Sequence, residues 1–162
     1  MGYNVLMKIY IGTDHAGFEL KEKLKVYISE LGYEVQDMGP FVYDADDDYP
    51  DLIRPVAEAV ANDTGSMGVI LGGSGQGEAM CANRVKGARA GVFYGGASMQ
   101  TDISGNTLDM IASMREHNNA NIISLGARFM SEDEVKDAVK RFLSLPFSGN
   151  ERHLRRINKL DN

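Results

Sequence analysis

The chain has 162 residues, 43% of them hydrophobic and 25% charged, a balance that supports one packed core and excludes intrinsic disorder. A formal net charge of −6 and a pI near 5.0 argue against general nucleic-acid binding, which needs a positive field, but leave room for a small anion held by a local basic cluster. The single cysteine, Cys81, allows no intrachain disulfide and suits a reducing, cytoplasmic setting, and no apolar run reaches the length needed to span a bilayer.

Residues 1–6 lack the basic start and apolar stretch of a signal peptide and read as a short extension. Met7–Thr13 predicts a strand, behind which Leu20, Leu24, Tyr27, Ile28 and Leu31 recur at helical spacing up to Gly32. Tyr33–Met38 predicts a second strand. An acidic loop from Tyr43 to Tyr49, with four aspartates, leads into a helix at about Pro50–Asn62. Next come a strand over Gly68–Leu71, a glycine loop, a helix over Ala79–Val85 and a strand over Ala88–Phe93. Met99–Arg115 predicts a longer helical region, interrupted near Ser104-Gly105-Asn106. A strand over Asn121–Leu125 follows, then a helix over Glu132–Leu145 opened by the capping-box pattern Ser131-x-x-Glu134.

Five strands separated by helices predict a single α/β domain. Its expected form is a three-layer α/β/α sandwich around a five-stranded parallel sheet, Rossmann- or flavodoxin-like, plus a C-terminal basic helix after Gly149. Ligands in such folds bind beyond the carboxyl ends of the strands, which directs attention to the loops there.

The loop after the third strand reads Gly72-Gly73-Ser74-Gly75-Gln76-Gly77-Glu78. Four glycines in six positions let backbone N–H groups approach an anion, and a helix N-terminus follows. No Lys-Ser/Thr follows, so it is not a Walker A loop, and Glu78 stands where the dinucleotide pattern needs its third glycine. A tight turn, with Glu78 merely favourable for the helix dipole, is the plain alternative. Proton abstraction next to a carbonyl, however, needs a base beside an oxyanion hole, and this loop supplies both. After the first strand, Asp14 and His15 are either an N-cap with its neighbour or a proton-handling pair. His117 and Asn118 precede the last strand. Arg152, Arg155, Arg156 and Lys159 share a helix face, which reads as solvated or as a phosphate clamp that Arg128 could join.

Taken together, GTDHAGFELKEKL, DYPD at Asp48–Asp51, GGSGQGEAMCANRVKGARA at Gly72–Ala90, EHNNANIISLGAR at Glu116–Arg128 and ERHLRRI at Glu151–Ile157 resemble one family. It is the group of type B ribose-5-phosphate isomerases and galactose-6-phosphate isomerases. The resemblance implies a cytoplasmic aldose–ketose isomerase of a sugar phosphate, with no metal or other cofactor. It also implies a homodimer or homotetramer whose sites lie at subunit interfaces. Glu78 would be the base of a cis-enediolate mechanism, in the glutamate variant of the family; the cysteine variant has its base at the position of Gly72. Asp14 and His15 would line the site and Ser74 would bond the sugar. The Gly75, Gln76 and Gly77 amides would hold the enediolate oxygen. His117 would help open the ring, Asn118 and Tyr49 would contact substrate, and Arg128, Arg152 and Arg156 would grip the phosphate. Cys81 would be a buried bystander. The stretch between Ala90 and His117 is longer than the family pattern and bears on which sugar is used: ribose 5-phosphate by default, or a six-carbon phosphate. A phosphosugar-binding module without turnover is the rival class, and Glu78, which would repel a bound anion, speaks against it.

Overall fold

The computed structural model describes residues 6–96, 100–101 and 103–161. In chain order its elements are β1 (Lys8–Thr13), α1 (Phe18–Glu30), β2 (Glu34–Asp37), α2 (Tyr49–Asn62), β3 (Met67–Gly72), α3 (Gln76–Ala82) and β4 (Ala90–Phe93). After these come β5 (Gln100–Thr101), β6 (Thr107–Leu108), α4 (Met110–Ala112), β7 (Ile122–Gly126), α5 (Glu132–Ser144) and α6 (Glu151–Ile157). A 3-10 turn, His15–Gly17, leads into α1, and a π-helical turn, Ser113–His117, follows α4.

The expected parallel sheet of five strands is present, in the order β2-β1-β3-β7-β4. Side-chain alternation divides its apolar residues between two faces. Val69, Leu71, Ile123 and Leu125 pack with Leu24 and Ile28 of α1 and with Val135, Val139 and Phe142 of α5. Ile70 and Ile122 face the other way, against Ile53, Val56 and Val60 of α2 and Cys81 and Ala82 of α3. All six residues of β3 are buried, as expected for a central strand covered on both sides. Strand order reverses at β1 and β3, so the loops leaving these two strands open on the same crevice. Among the described residues no helix is long and apolar enough to cross a membrane.

The region over Met99–Arg115 corrects the prediction of a long helix; Met99 itself lies outside the described residues. Gln100–Thr101 and Thr107–Leu108 pair as a small antiparallel hairpin instead. Gly105 supplies a positive φ of 85° within the turn, and the β-branched threonines on either side suit strands. Asp109 then caps a helix that starts only at Met110, its Oδ1 accepting the Ala112 N–H at 2.9 Å. The capping box at Ser131 and Glu134 is formed as expected.

The fully buried Lys21 of α1 pins the loop before α2 to the sheet. Its Nζ donates to both oxygens of Asp37, at 2.7 and 2.8 Å, and Asp37 Oδ1 in turn accepts the Gly39 N–H at 2.9 Å. The Gly39 carbonyl accepts the Thr13 N–H at 3.2 Å, next to Asp14. Lys21→Ala should therefore cost about 3 kcal/mol, because it leaves a carboxylate short of its buried partner, and a urea titration would measure it. Burial raises the pKa of Asp37, but hydrogen bonds from Lys21, Lys25 and the Gly39 N–H outweigh this and hold it below the usual range. A depressed carboxylate contributes stability above its unfolded pKa, ~3.9, and loses it as pH falls through the folded value. The difference between parent and Lys21→Ala should shrink in that acid window.

Candidate active site

At the end of β1 the backbone is tied to β3. The Asp14 N–H donates to the Leu71 carbonyl at 3.3 Å, and Thr13 Oγ1 donates to the same carbonyl at 3.1 Å. Asp14 is 7% exposed and caps the 3-10 turn, its Oδ1 accepting the Ala16 N–H at 2.8 Å. The capping expectation thus holds, and the same geometry keeps the carboxylate beside the glycine loop.

The loop after β3 is shorter than predicted, because α3 begins at Gln76 and takes Glu78 into its first turn. Gly75 adopts φ +77°, with the Leu125–Gly126 backbone close behind it, a position where a side chain would be strained and crowded. Ser124 Oγ, fully buried in β7, donates to the Gly75 carbonyl at 2.6 Å and anchors the loop from beneath. Ser74 Oγ accepts the Gln76 N–H at 3.3 Å. Glu78 is 4% exposed, and its carboxylate lies over Gly72: a Cβ there would sit 2.0–2.3 Å from the Glu78 carboxyl atoms. Burial, followed by the charge and hydrogen bond of Asp14 and the charge of Asp47, pushes the Glu78 pKa up against the opposing pull of its own backbone N–H.

His15 donates through Nδ1 to Asp47 Oδ1 at 2.7 Å, and this hydrogen bond is the largest influence raising the His15 pKa; the charge of Arg128 opposes it. Asp47 Oδ2 is buried without a hydrogen-bond partner among the described residues. The ligand atoms of Asp14, His15 and Asp47 lie within 4.8 Å of one another, but Asp14 Oδ1 is committed to Ala16 and Asp47 Oδ1 to His15. Arg128 reaches the glycine loop from β7's end, its Nη1 3.4 Å from where a Gly73 Cβ would be. Tyr49, the first residue of α2, lays its ring against Gly77. Asp14, His15, Tyr49, Ser74, Gly75, Gln76, Gly77, Glu78 and Arg128 thus come from distant segments to the β1/β3 crevice.

The remaining predicted residues form a second group. His117, Arg152 and Arg156 line a cavity of about 440 Å³ with Glu116, Ser148, His153 and residues of the β5–β6 hairpin. Neither Arg155 nor Lys159 lines it, so the helix face predicted as one basic stripe is divided. Asn118 is exposed and donates to the Ser113 carbonyl at 2.9 Å, bordering a separate cavity with Arg89. No hydrogen bond or ion pair among the described residues joins this group to the Glu78 group. Within one chain the predicted set is therefore split.

Comparison with known proteins identifies the family and the fold. A family profile described as Ribose/Galactose Isomerase covers residues 9–160. The chain belongs to the ribose/galactose isomerase family. It is 42% identical over 154 residues to a ribose-5-phosphate isomerase B of Mycobacterium tuberculosis, covering 95% of this chain and 88% of the relative. A crystal structure of ribose-5-phosphate isomerase B from Mycoplasma genitalium with bound ribulose 5-phosphate superposes with a TM-score of 0.82. It is 35% identical and covers 95% of this chain and 93% of that one. A ribose 5-phosphate isomerase from Thermotoga maritima gives a TM-score of 0.81 at 38% identity, over 96% and 97% of the two chains.

Three residues at these sites escaped the sequence reading. Asp47 was hidden in a run of acids, and only the fold brings it 32 positions back to His15. Ser124 carried a signal, a lone hydroxyl in an apolar strand, and His153 sits inside the ERHLRRI segment without a spacing that marks it. Cys81 is buried as expected, and burial raises its pKa, so it is a poor thiolate.

The closeness of Gly72 and Glu78 yields a direct test. Gly72→Ala must displace the end of a flexible side chain rather than backbone, so the fold should survive while Glu78 swings away. Turnover of a sugar phosphate should fall by ~10²-fold or more, as for a catalytic group moved by an ångström. A Gly72→Ala protein with near-parent kcat and an unmoved thermal transition would mean that the Glu78 carboxylate is not needed where it lies.

Proposed function

We propose that this chain interconverts ribose 5-phosphate and ribulose 5-phosphate through a cis-enediolate, with Glu78 as the base. The observation that carries this reading is the buried Glu78 carboxylate, poised with a raised pKa over a side-chain-free Gly72 and beside a glycine loop. A base with its pKa moved toward the working pH is a better proton acceptor and returns the proton more readily. Glu78 takes the proton from C2 of the aldose and delivers it to C1. Ser74 and the amides of Gly75, Gln76 and Gly77 face the oxygen that gains charge. Asp14, His15 and Tyr49 hold the sugar hydroxyls, and Arg128 adds positive charge at the loop.

His117, aided by Asn118, serves the step before enolisation. Opening the furanose moves the anomeric hydroxyl proton to a base and a proton to the ring oxygen as the C1–O bond breaks. Arg152 and Arg156 bind the phosphate. Because these four residues stand apart from Glu78 in one chain, a homodimer that brings one subunit's second group to its partner's first group completes the site. A homotetramer would pair two such dimers. A single-domain, metal-free enzyme of the cytoplasm fits this reading, since it rests on side chains and backbone amides and on one buried, reduced cysteine. The β5–β6 hairpin borders the arginine cavity, so a six-carbon phosphate is the second reading. Relative kcat/KM for ribose, allose and galactose phosphates decides between them.

Glu78→Gln keeps shape and removes the acceptor, so kcat should fall by ~10²–10⁴-fold with KM little changed. In the parent, activity should rise with pH through an acid limb above the ordinary carboxylate range, because only the ionised base abstracts the proton. Activity within a few-fold of parent in Glu78→Gln excludes it as base.

Arg152→Ala or Arg156→Ala should each lower kcat/KM for phosphorylated sugars by roughly 10- to 150-fold, the worth of one charge-assisted contact, while Arg155→Ala does little. Mixing Glu78→Gln with Arg156→Ala subunits should restore activity, since a hybrid dimer has one site with both groups intact. Equal, small effects of all three arginines would return α6 to a solvated role.

A further inference from the structure

The cavity beneath the β5–β6 hairpin holds a histidine with no part in the chemistry above. His153 of α6 faces His117 across a ring-centroid distance of 4.3 Å, the planes tilted by 35°. Its Nδ1 is engaged by Ser148. Ser148 Oγ accepts the Asn150 N–H at 3.3 Å and is hydrogen-bonded to His153 Nδ1 at 3.0 Å. The ring also bonds the backbone carbonyl of Glu116. Contacts to Ser148 and to the Glu116 backbone restrain the ring. What it presents to the cavity is a flat face, and His117 lies on it.

The backbone supports the same contact. The Ser148 N–H donates to the Glu116 carbonyl at 3.2 Å, tying the segment before α6 to the residue before His117. Arg115, 5% exposed, donates through Nε to the Leu145 carbonyl at 3.0 Å and through Nη1 to the Ala120 carbonyl, closing the π-helical turn from below. His117 is thus carried on a turn held at both ends, and its ring is fixed by His153.

We propose that His153 is a positioning residue, a fixed imidazole plate that holds the His117 ring in the orientation used to open the sugar ring. This rests on the ring-opening role given to His117 above. The surroundings disfavour a charge on the plate: burial, then the charges of His117, Arg152 and Arg156, lower the His153 pKa, and the Glu116 carbonyl opposes them. A cationic plate would compete with His117 for protonation.

The test compares ribose 5-phosphate with an aldotetrose 4-phosphate, which has no free hydroxyl placed to close a five-membered ring. His153→Ala should lower kcat/KM for ribose 5-phosphate by 10- to 100-fold, roughly the penalty for a misaligned group, and leave the tetrose within a few-fold of parent. His153→Phe, which keeps a flat face, should recover most of that loss. His153→Ala/His117→Ala should be no worse than His117→Ala, because the two act as a unit. By ¹⁵N NMR of histidine-labelled protein, His153 should stay a single neutral tautomer below pH ~6.5, where a free imidazole is half protonated. Equal losses on both sugars, additive losses in the double variant, or a His153 that titrates like free imidazole would each overturn the role. A damaging His117→Ala beside a silent His153→Ala removes only the positioning role; a silent His117→Ala removes the ring-opening assignment with it.

Discussion

Glu78 carries its carboxylate into a site that already contains two others, Asp14 and Asp47, and the protein accepts the cost. Burying an ionised carboxylate next to like charges is unfavourable, and it is offset here by limited means: a backbone N–H at the start of α3 and the helix dipole. Everything around the group keeps it in that place. Gly72 leaves the volume it fills, Ser124 fastens the loop that leads to it, and β3 lies in the middle of the sheet, buried along its whole length. A carboxylate left to itself would turn to solvent, and this one has been denied the route.

The second group is organised on the opposite electrostatic principle. Arg115 is buried against carbonyls and the ring of Phe142, with Arg89 close enough to lower its pKa further. Its bonds to the chain around residues 119–120 and 145 connect the π-helical turn to the end of α5. Asn119, at φ +44°, takes the left-handed conformation that ends the turn. On this platform Arg152 and Arg156 remain exposed, free to meet an anion, while His153 is locked. A phosphorylated sugar has the same asymmetry as the two groups, with a neutral carbonyl and hydroxyl end and a doubly charged phosphate end.

Much of this was legible in the residues. The five main strands lie within two residues of their predicted bounds, because short apolar runs ended by glycine or polar clusters leave little choice of period. The capping box at Ser131 and the glycine loop were also readable, since each is a local pattern with a local cause. The stretch over Met99–Arg115 was misjudged for the converse reason. Its apolar residues, Ile103, Leu108, Ile111 and Met114, can be placed on a helix, yet only the last three are buried, and Gly105 with its flanking threonines favours a turn between strands. Local propensity was ambiguous there, and packing decided it.

The sequence by itself determined the sheet and most of its helices and pointed to candidate site residues, because periodicity and motif are properties of neighbouring residues. Only the tertiary structure decided how those side chains are grouped. It placed Glu78 over Gly72, paired His15 with Asp47 across 32 positions, and stacked His153 on His117 across 36. It also divided the predicted site residues between two surfaces of one chain. The physical reason is that charge coupling, desolvation and ring contact depend on distance in space, and a strand order of β2-β1-β3-β7-β4 folds that distance in a way no spacing along the chain records.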